Sequence, residues 1–287
     1  MSLQPFNLQV GSARVAGLRR PGPGARVLAL HGWLDNAASF VPLVPHLPGL
    51  DLVLIDLPGH GHSDPLPEGA AYTTPAAICH VLDVADALGW PRFTLLGHSM
   101  GAGIATLTAA VCERVERLAL IEGLGGLRGA EEDTAQRLRA HVEAVRSRQP
   151  GRLRVFADLE APVRARMIAN QLSRDSARLL VERGVRAVAG GFSWRSDPRL
   201  MLPTAVRLTE GQIEDLLRHI SCATQVIHAT PAQSYYPEPL RSDRLKFLRN
   251  GAMAVLPGNH HLHMETPAEV ATILRSFLAD SAATPAR

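Results

Sequence analysis

The sequence is poor in aromatic residues, lysine and cysteine. Aromatic residues make up 5% of the 287 positions, and Lys246 is the only lysine among 30 basic residues. The cysteines Cys79, Cys112 and Cys222 are far apart and odd in number, without the paired spacing of a metal site. This pattern is typical of a chain from a reducing compartment and argues against a disulfide framework.

Long hydrophobic runs and a strong charge imbalance are also missing. The N-terminal segment has no apolar leader core, and no run approaches the roughly 20 apolar residues that span a bilayer. A formal net charge of +3 and a pI near 9.0 give little reason to expect a nucleic-acid or membrane partner. We therefore expect a cytoplasmic protein, a monomer or homodimer, with no nucleic-acid partner and no stable membrane insertion.

What is present favours a globular α/β fold, since 46% of the residues are hydrophobic. Short apolar runs end at glycine or proline and alternate with stretches of helix length, which is typical of parallel strands buried on both faces. The predicted strands are 6–10, 13–18, 27–30, 52–55, 93–96, 118–121, 225–229 and 252–256, and the predicted helices are 36–47, 75–88, 99–114, 239–249 and 267–280, followed by a frayed tail at 281–287.

The alternation is interrupted between residues 125 and 220. Arginine, glutamate and alanine dominate there, apolar residues recur at helical spacing, and no strand-like run stands out. We interpret this segment, called the insert below, as a helical cap. The predicted core is then formed by residues 1–124 and 221–287.

The strongest chemical signal is Gly97-His98-Ser99-Met100-Gly101. This G-x-S-x-G lies directly after a predicted strand and before a predicted helix, as a nucleophile elbow requires. The tight turn would present Ser99 at the start of the helix, where the helix dipole favours developing negative charge. Ser99 is the predicted nucleophile.

A serine needs a base to take its proton, and enzymes with this elbow place the histidine late in the chain. The loop after the last predicted strand offers His260, His261 and His263. We predict His260 as the base because it comes first after Gly258. His261 and His263 remain alternatives.

Backbone amides should hold the developing oxyanion. The Met100 amide follows the nucleophile directly, and the Trp33 amide would come from the loop after the third predicted strand. We also expect His31, Trp33, His98 and Trp194 near the substrate pocket.

Further segments join the motifs above, in order along the chain: His31-Gly32-Trp33, the stretch 56–64 (DLPGHGHSD), Gly97-His98-Ser99-Met100-Gly101, the stretch 192–199 (FSWRSDPR) and Gly258-Asn259-His260 with Met264-Glu265. Together they resemble the α/β-hydrolase superfamily, in its serine-hydrolase-like and carboxylesterase branch. The resemblance implies an eight-stranded, mostly parallel sheet with a lid of helices after strand six, and no cofactor. We expect no metal site either, because His60 and His62 lie on a turn without further ligand spacing.

The acid departs from the usual pattern of that superfamily. The loop after its seventh strand commonly carries the acid, but residues 228–235 contain no carboxylate. Some relatives carry the acid after strand six instead, where this chain has Glu122. We predict that Glu122 orients and stabilises the histidine. A serine–histidine dyad without an acid, or Asp133, are the alternatives.

A serine at the elbow argues against the dehalogenase and epoxide-hydrolase branches, which use aspartate there. We expect a small-molecule carboxylic ester as substrate, cleaved through an acyl-enzyme, with acyl-CoA or other thioesters next. Perhydrolysis or carbon–carbon bond hydrolysis would use the same residues. Between residues 128 and 215 there are 16 arginines and 12 acidic residues, and a basic cap would suit an anionic leaving group. A non-catalytic binding or interaction module is the alternative of another class.

Overall fold

A computed structural model of the protein describes residues 2–148 and 154–279. The predicted tail at 281–287 and the last residue of the predicted closing helix lie outside these ranges. No helix within them is both long and apolar enough to cross a bilayer.

Strands and helices alternate along most of the chain, with boundaries mostly within a few residues of those predicted. The strands are β1 (Gln4–Val10), β2 (Ala13–Arg20), β3 (Arg26–Leu30), β4 (Asp51–Ile55), β5 (Phe93–His98), β6 (Val115–Ile121), β7 (Val185–Val188), β8 (Gly191–Trp194), β9 (Ala223–Thr230) and β10 (Gly251–Pro257). The α-helices are α1 (Thr74–Ala87), α2 (Met100–Val111), α3 (Thr134–Ser147), α4 (Glu160–Asn170), α5 (Arg174–Gly184), α6 (Glu210–Arg218), α7 (Leu240–Leu245), α8 (Leu262–Glu265) and α9 (Pro267–Ala279).

Among the described residues, one sheet has eight strands in the order β1-β2-β4-β3-β5-β6-β9-β10. β2 pairs antiparallel with β1 and β4, and the other neighbouring pairs are parallel. The predicted eight-stranded, mostly parallel sheet is confirmed. The carboxyl ends of β3, β5, β6, β9 and β10 share one edge, which is where open α/β sheets bind ligands.

Hydrophobic side chains cover both faces of the sheet. In β3, Val27 and Ala29 pack into one apolar cluster, while Leu28 and Leu30 pack into the cluster on the opposite face. All four are fully buried. Successive strand residues point to opposite faces, so a strand buried on both sides needs a continuous apolar run.

The segment 36–47 was predicted as an ordinary helix but forms a 3₁₀ helix, Ala37–His46. Pro42 and Pro45 lie inside it and have no amide hydrogen to donate, which weakens an α-helical pattern. The Asn36 side chain caps its start by accepting a hydrogen bond from the Ala38 amide.

The insert contains α3 to α6, but the prediction that it lacks strands is wrong. β7 and β8 form an antiparallel hairpin of their own. Gly190 and Gly191 turn the chain with φ values of +85° and +139°. Phe156 pairs with Phe192 as an isolated bridge, and a Cβ on Gly191 would come within 1.9 Å of the Phe156 carbonyl oxygen. Glycine is required there because the two backbones touch.

Candidate active site

A sharp turn presents Ser99 between β5 and α2. Ser99 has φ +52° and ψ −113°, a strained conformation for a residue with a side chain. A Cβ on Gly97 would lie 2.5 Å from the Gly101 carbonyl oxygen, and one on Gly101 would lie 2.0 Å from the Leu30 carbonyl oxygen. The two glycines of the motif therefore allow the helix to pack directly against β3 and β5.

The loop after β10 brings His260 to this serine. Its Nε2 lies 2.8 Å from Ser99 Oγ, and its Nδ1 lies 3.0 Å from Glu122 Oε2. An ionised carboxylate only accepts, so Nδ1–H must be the donor to Glu122. Nε2 is then free to accept from the Ser99 hydroxyl, and the three side chains form one hydrogen-bonded chain.

Glu122 directly follows β6 and is held from several sides. Its φ is +56°, and its amide donates to the Ile227 carbonyl oxygen at 2.9 Å. Oε1 accepts from the Ala229 amide at 2.7 Å and lies 3.5 Å from both His228 Nδ1 and Arg241 Nη2.

The environment of Glu122 favours its charged form. Burial alone would raise its pKa, but contacts with the rings of His228 and His260 and with the Ala229 amide outweigh this and lower the pKa to about 2. Glu122 is therefore ionised at neutral pH and accepts hydrogen bonds only.

The alternative residues for base and acid do not reach Ser99. His261 and His263 are buried, and His261 Nε2 contacts Asp35 Oδ2 at 3.1 Å instead. Asp133 is exposed, at the start of α3, and its side chain lies 3.8 Å from Arg137. Of the predicted candidates, the structure thus brings Ser99, His260 and Glu122 together.

The two predicted oxyanion amides come from α2 and from the loop after β3. Met100 is the first residue of α2, so its amide has no acceptor within the helix. Neither this amide nor that of Trp33 donates to any residue that the structure describes. Their role in holding an oxyanion stays a prediction.

The predicted pocket residues separate into two groups. Trp33 is 49% exposed and donates from Nε1 to the Leu200 carbonyl oxygen, and Trp194 is partly buried beside a small cavity. His31 and His98, also expected near the substrate pocket, are both fully buried, and their ring nitrogens bind backbone groups. His31 Nε2 accepts from the Leu57 amide, and His98 Nε2 donates to a backbone carbonyl.

One cluster among the described residues has the composition of a metal site. Asp35, His98 and His261 offer ligand atoms within 4.8 Å of one another, all buried. Asp35 Oδ1, however, accepts from Arg166, and Oδ2 accepts from His261. A hydrogen-bonded ion pair therefore already satisfies the carboxylate.

Sequence reasoning missed Tyr235 and Arg241. The Tyr235 hydroxyl lies 3.4 Å from Nδ1 and 3.5 Å from Nε2 of His260, and Arg241 donates to the Ala229 carbonyl oxygen beside Glu122. Both follow β9, in the region where only a carboxylate was sought. Their approach to the site depends on the path of this connection, which periodicity does not reveal.

This fold and this site define an α/β hydrolase, and the family model described as "alpha/beta hydrolase fold" matches residues 25–184. The chain belongs to that family. It is 31% identical to the serine hydrolase-like protein of Danio rerio, over 90% of this chain and 82% of the relative.

Two further comparisons add to this result. The crystal structure of a hypothetical protein from Pseudomonas aeruginosa PAO1 superposes with a TM-score of 0.90 and 40% identity, covering 96% of this chain and 99% of the other. A pimeloyl-[acyl-carrier protein] methyl ester esterase of Xanthomonas campestris is 40% identical over 35% of this chain and 37% of its own length. Together the comparisons support a hydrolase.

Proposed function

We propose that the protein hydrolyses carboxylic esters through a Ser99–His260–Glu122 triad and an acyl-enzyme. The observation that carries the proposal is the chain of contacts from Ser99 Oγ to His260 Nε2 at 2.8 Å and from His260 Nδ1 to Glu122 Oε2 at 3.0 Å. A base held in this tautomer by an ionised carboxylate is what activates a serine.

The proposed reaction has two stages. His260 takes the Ser99 proton as Oγ attacks the ester carbonyl, and the Trp33 and Met100 amides stabilise the oxyanion. The imidazolium then protonates the leaving alcohol. Water, deprotonated by the same imidazole, releases the acid from Ser99. Glu122 stabilises the imidazolium in both stages without taking its proton.

The insert is proposed to act as the cap over this site, with residues 1–124 and 221–287 as the core. Two of its contacts support this role, because Leu200 binds the Trp33 indole and Gln171 binds Asn259 next to His260. The cap would then select the substrate.

Thioesters are a second candidate substrate, which the excess of arginine in the insert favours. Several of these arginines are already paired, however: Arg166 with Asp35, Arg183 with Asp56 and Arg199 with Asp197. Fewer free cations remain for a coenzyme A tail, so the ester is placed first. A related protein of Xanthomonas campestris, whose name gives a methyl ester as its substrate, agrees with this order.

A fluorophosphonate probe tests the function directly. We expect the probe to label the wild type and not Ser99→Ala, and p-nitrophenyl esters to be turned over faster than acyl-CoA thioesters of the same chain length. Absence of labelling in the folded wild type would refute the enzyme and leave a non-catalytic binding module. If the protein turns over acyl-CoA faster than the esters, thioesters become the proposed substrate in place of carboxylic esters.

A further inference from the structure

The strand that carries the nucleophile is tied directly to the loop that carries the base. His98 is fully buried, and its Nε2 lies 2.8 Å from the carbonyl oxygen of His260. A carbonyl oxygen only accepts, so His98 Nε2–H is the donor. His98, the residue before Ser99, thus binds the backbone of His260. The two rings also pack against each other, with centroids 4.9 Å apart.

A second buried carboxylate holds the next residue of the same loop. Asp35 Oδ2 accepts a hydrogen bond from His261 Nε2 at 3.1 Å and lies 3.8 Å from His98 Nδ1. His261 is therefore bound to Asp35, whereas His260 is bound to Ser99. Consecutive histidines bind two different carboxylates, Glu122 and Asp35, and their rings stand nearly perpendicular, at 86°.

The counter-charge for Asp35 comes from the insert. Arg166 in α4 pairs with Asp35 Oδ1, and the same Nη2 atom donates to the Leu34 carbonyl oxygen at 2.9 Å. Its Nη1 donates to Asn170 Oδ1 one turn later, which fixes the guanidinium. Leu34 has φ +59°, so Arg166 stabilises a strained backbone next to Trp33.

The end of the same helix holds the histidine loop. Gln171 closes α4 in the left-handed conformation, and its carbonyl oxygen accepts from Asn259 Nδ2 at 2.6 Å. Asn259 Oδ1 accepts in turn from the His261 amide at 2.8 Å. Helix α4 therefore contacts both loops that the reaction would need, the loop of residues 31–35 and the loop of residues 258–263.

We propose that Arg166 is a positioning residue, which uses Asp35 and Leu34 to hold the Trp33 amide and the His260 loop in register with Ser99. This inference rests on the proposed function. Arg166 does not touch the reacting atoms. It gives the insert a second role, since the cap helix would complete the alignment of the core residues.

Arg166→Gln tests the proposal, with Arg164→Gln as its matched control. Both arginines lie in α4, but Arg164 is exposed and its guanidinium has no hydrogen bond or ion pair with any residue that the structure describes. With a neutral p-nitrophenyl ester, we expect Arg166→Gln to lower kcat about 10- to 100-fold with little change in KM, because small misplacements of reacting groups cost about this much. Arg164→Gln should match the wild type.

Arg166→Lys separates positioning from general stability. Lysine keeps the charge near Asp35 but lacks the planar fork of donors, so its kcat should lie between those of the wild type and Arg166→Gln. A fall in melting temperature without a fall in kcat would overturn the proposal. So would a rise in KM confined to anionic esters, since Arg166 would then bind substrate.

Imidazole ¹H–¹⁵N NMR gives a readout that needs no turnover. The Nε2–H signals of His98 and His261 should shift or broaden in Arg166→Gln and stay in place in Arg164→Gln. If the wild type is not labelled at Ser99, the proposed function fails, but these signals still decide whether Arg166 holds the loop. Unchanged signals in Arg166→Gln would overturn the inference in either case.

Discussion

Replacing Glu122 by glutamine should change the tautomer of His260 and not merely remove a charge. Glu122 accepts from the Ala229 amide at Oε1, where Arg241 Nη2 also lies 3.5 Å away, and from His260 Nδ1–H at Oε2. Glutamine offers one carbonyl oxygen and one NH₂ group. The backbone amide of Ala229 cannot turn away, so the oxygen should stay there and the NH₂ group should face His260.

The size of the effect follows from that geometry. Facing an NH₂ donor, His260 must accept at Nδ1 and carry its proton on Nε2, the atom 2.8 Å from Ser99 Oγ. A protonated Nε2 cannot take the serine proton. We therefore expect kcat to fall about 10²- to 10⁴-fold, or about 3–5 kcal/mol of barrier, as for other wrong-tautomer variants.

The assay is steady-state hydrolysis of a p-nitrophenyl ester, normalised to the concentration of folded protein. Glu116→Gln is the matched control, since Glu116 lies on β6, the strand that Glu122 follows, but is exposed and pairs with Arg92 at the surface. It should leave kcat unchanged. A loss of less than about 10-fold in Glu122→Gln, at unchanged melting temperature, would refute the tautomer argument and place the acid elsewhere.

The remaining predictions concern stability and pH. The folded-state pKa of Glu122 is lowered to about 2, so its charge stabilises the fold above pH 4.5 by about 3 kcal/mol. This contribution should be lost as the pH falls from about 4.5 to 2, and denaturant unfolding of the wild type and of Glu122→Gln across this range measures it. Gly101→Ala should destabilise the fold by about 1–3 kcal/mol, because its Cβ would meet the Leu30 carbonyl oxygen. Gly126→Ala is the control, since a Cβ there has open space and should leave stability unchanged. Equal melting temperatures of the two variants would contradict this. Burial raises the pKa of Tyr235 to about 12, so Tyr235→Phe should leave the dependence of kcat on pH unchanged up to pH 10. If the wild type loses activity below pH 10 and this variant does not, the phenol titrates in the reaction and the prediction is wrong.

The sheet and the meeting of Ser99, Glu122 and His260 could be expected from the sequence for one physical reason. Strands buried on both faces leave continuous apolar runs, and the ends of parallel strands lie at one edge. A side chain that follows such a run is therefore placed near the others. Ser99 follows β5, Glu122 follows β6 and His260 follows β10.

Contacts that depend on the packing of the insert were not predictable in this way. Asp35 and His261 are separated by 226 positions, and neither lies in a repeating pattern. The Phe156–Phe192 bridge likewise joins β8 to the segment before α4, and it requires the glycine at position 191. The burial of His31 and His98 was also not apparent from the sequence, where both lie next to motifs, but in the structure their ring nitrogens bind backbone groups.

The left-handed residues have a consequence for engineering. Leu34, Ser99, Glu122 and Gln171 have φ between +52° and +59° without being glycine, and each lies at the candidate site or on a loop that contacts it. Such residues commonly cost about 1–3 kcal/mol each. Substitutions that relax them, such as glycine at Leu34, should be among the easiest ways to make this protein more heat-resistant and among the quickest to make it less active. Stabilising substitutions are better placed at the amino ends of the parallel strands, away from the candidate site.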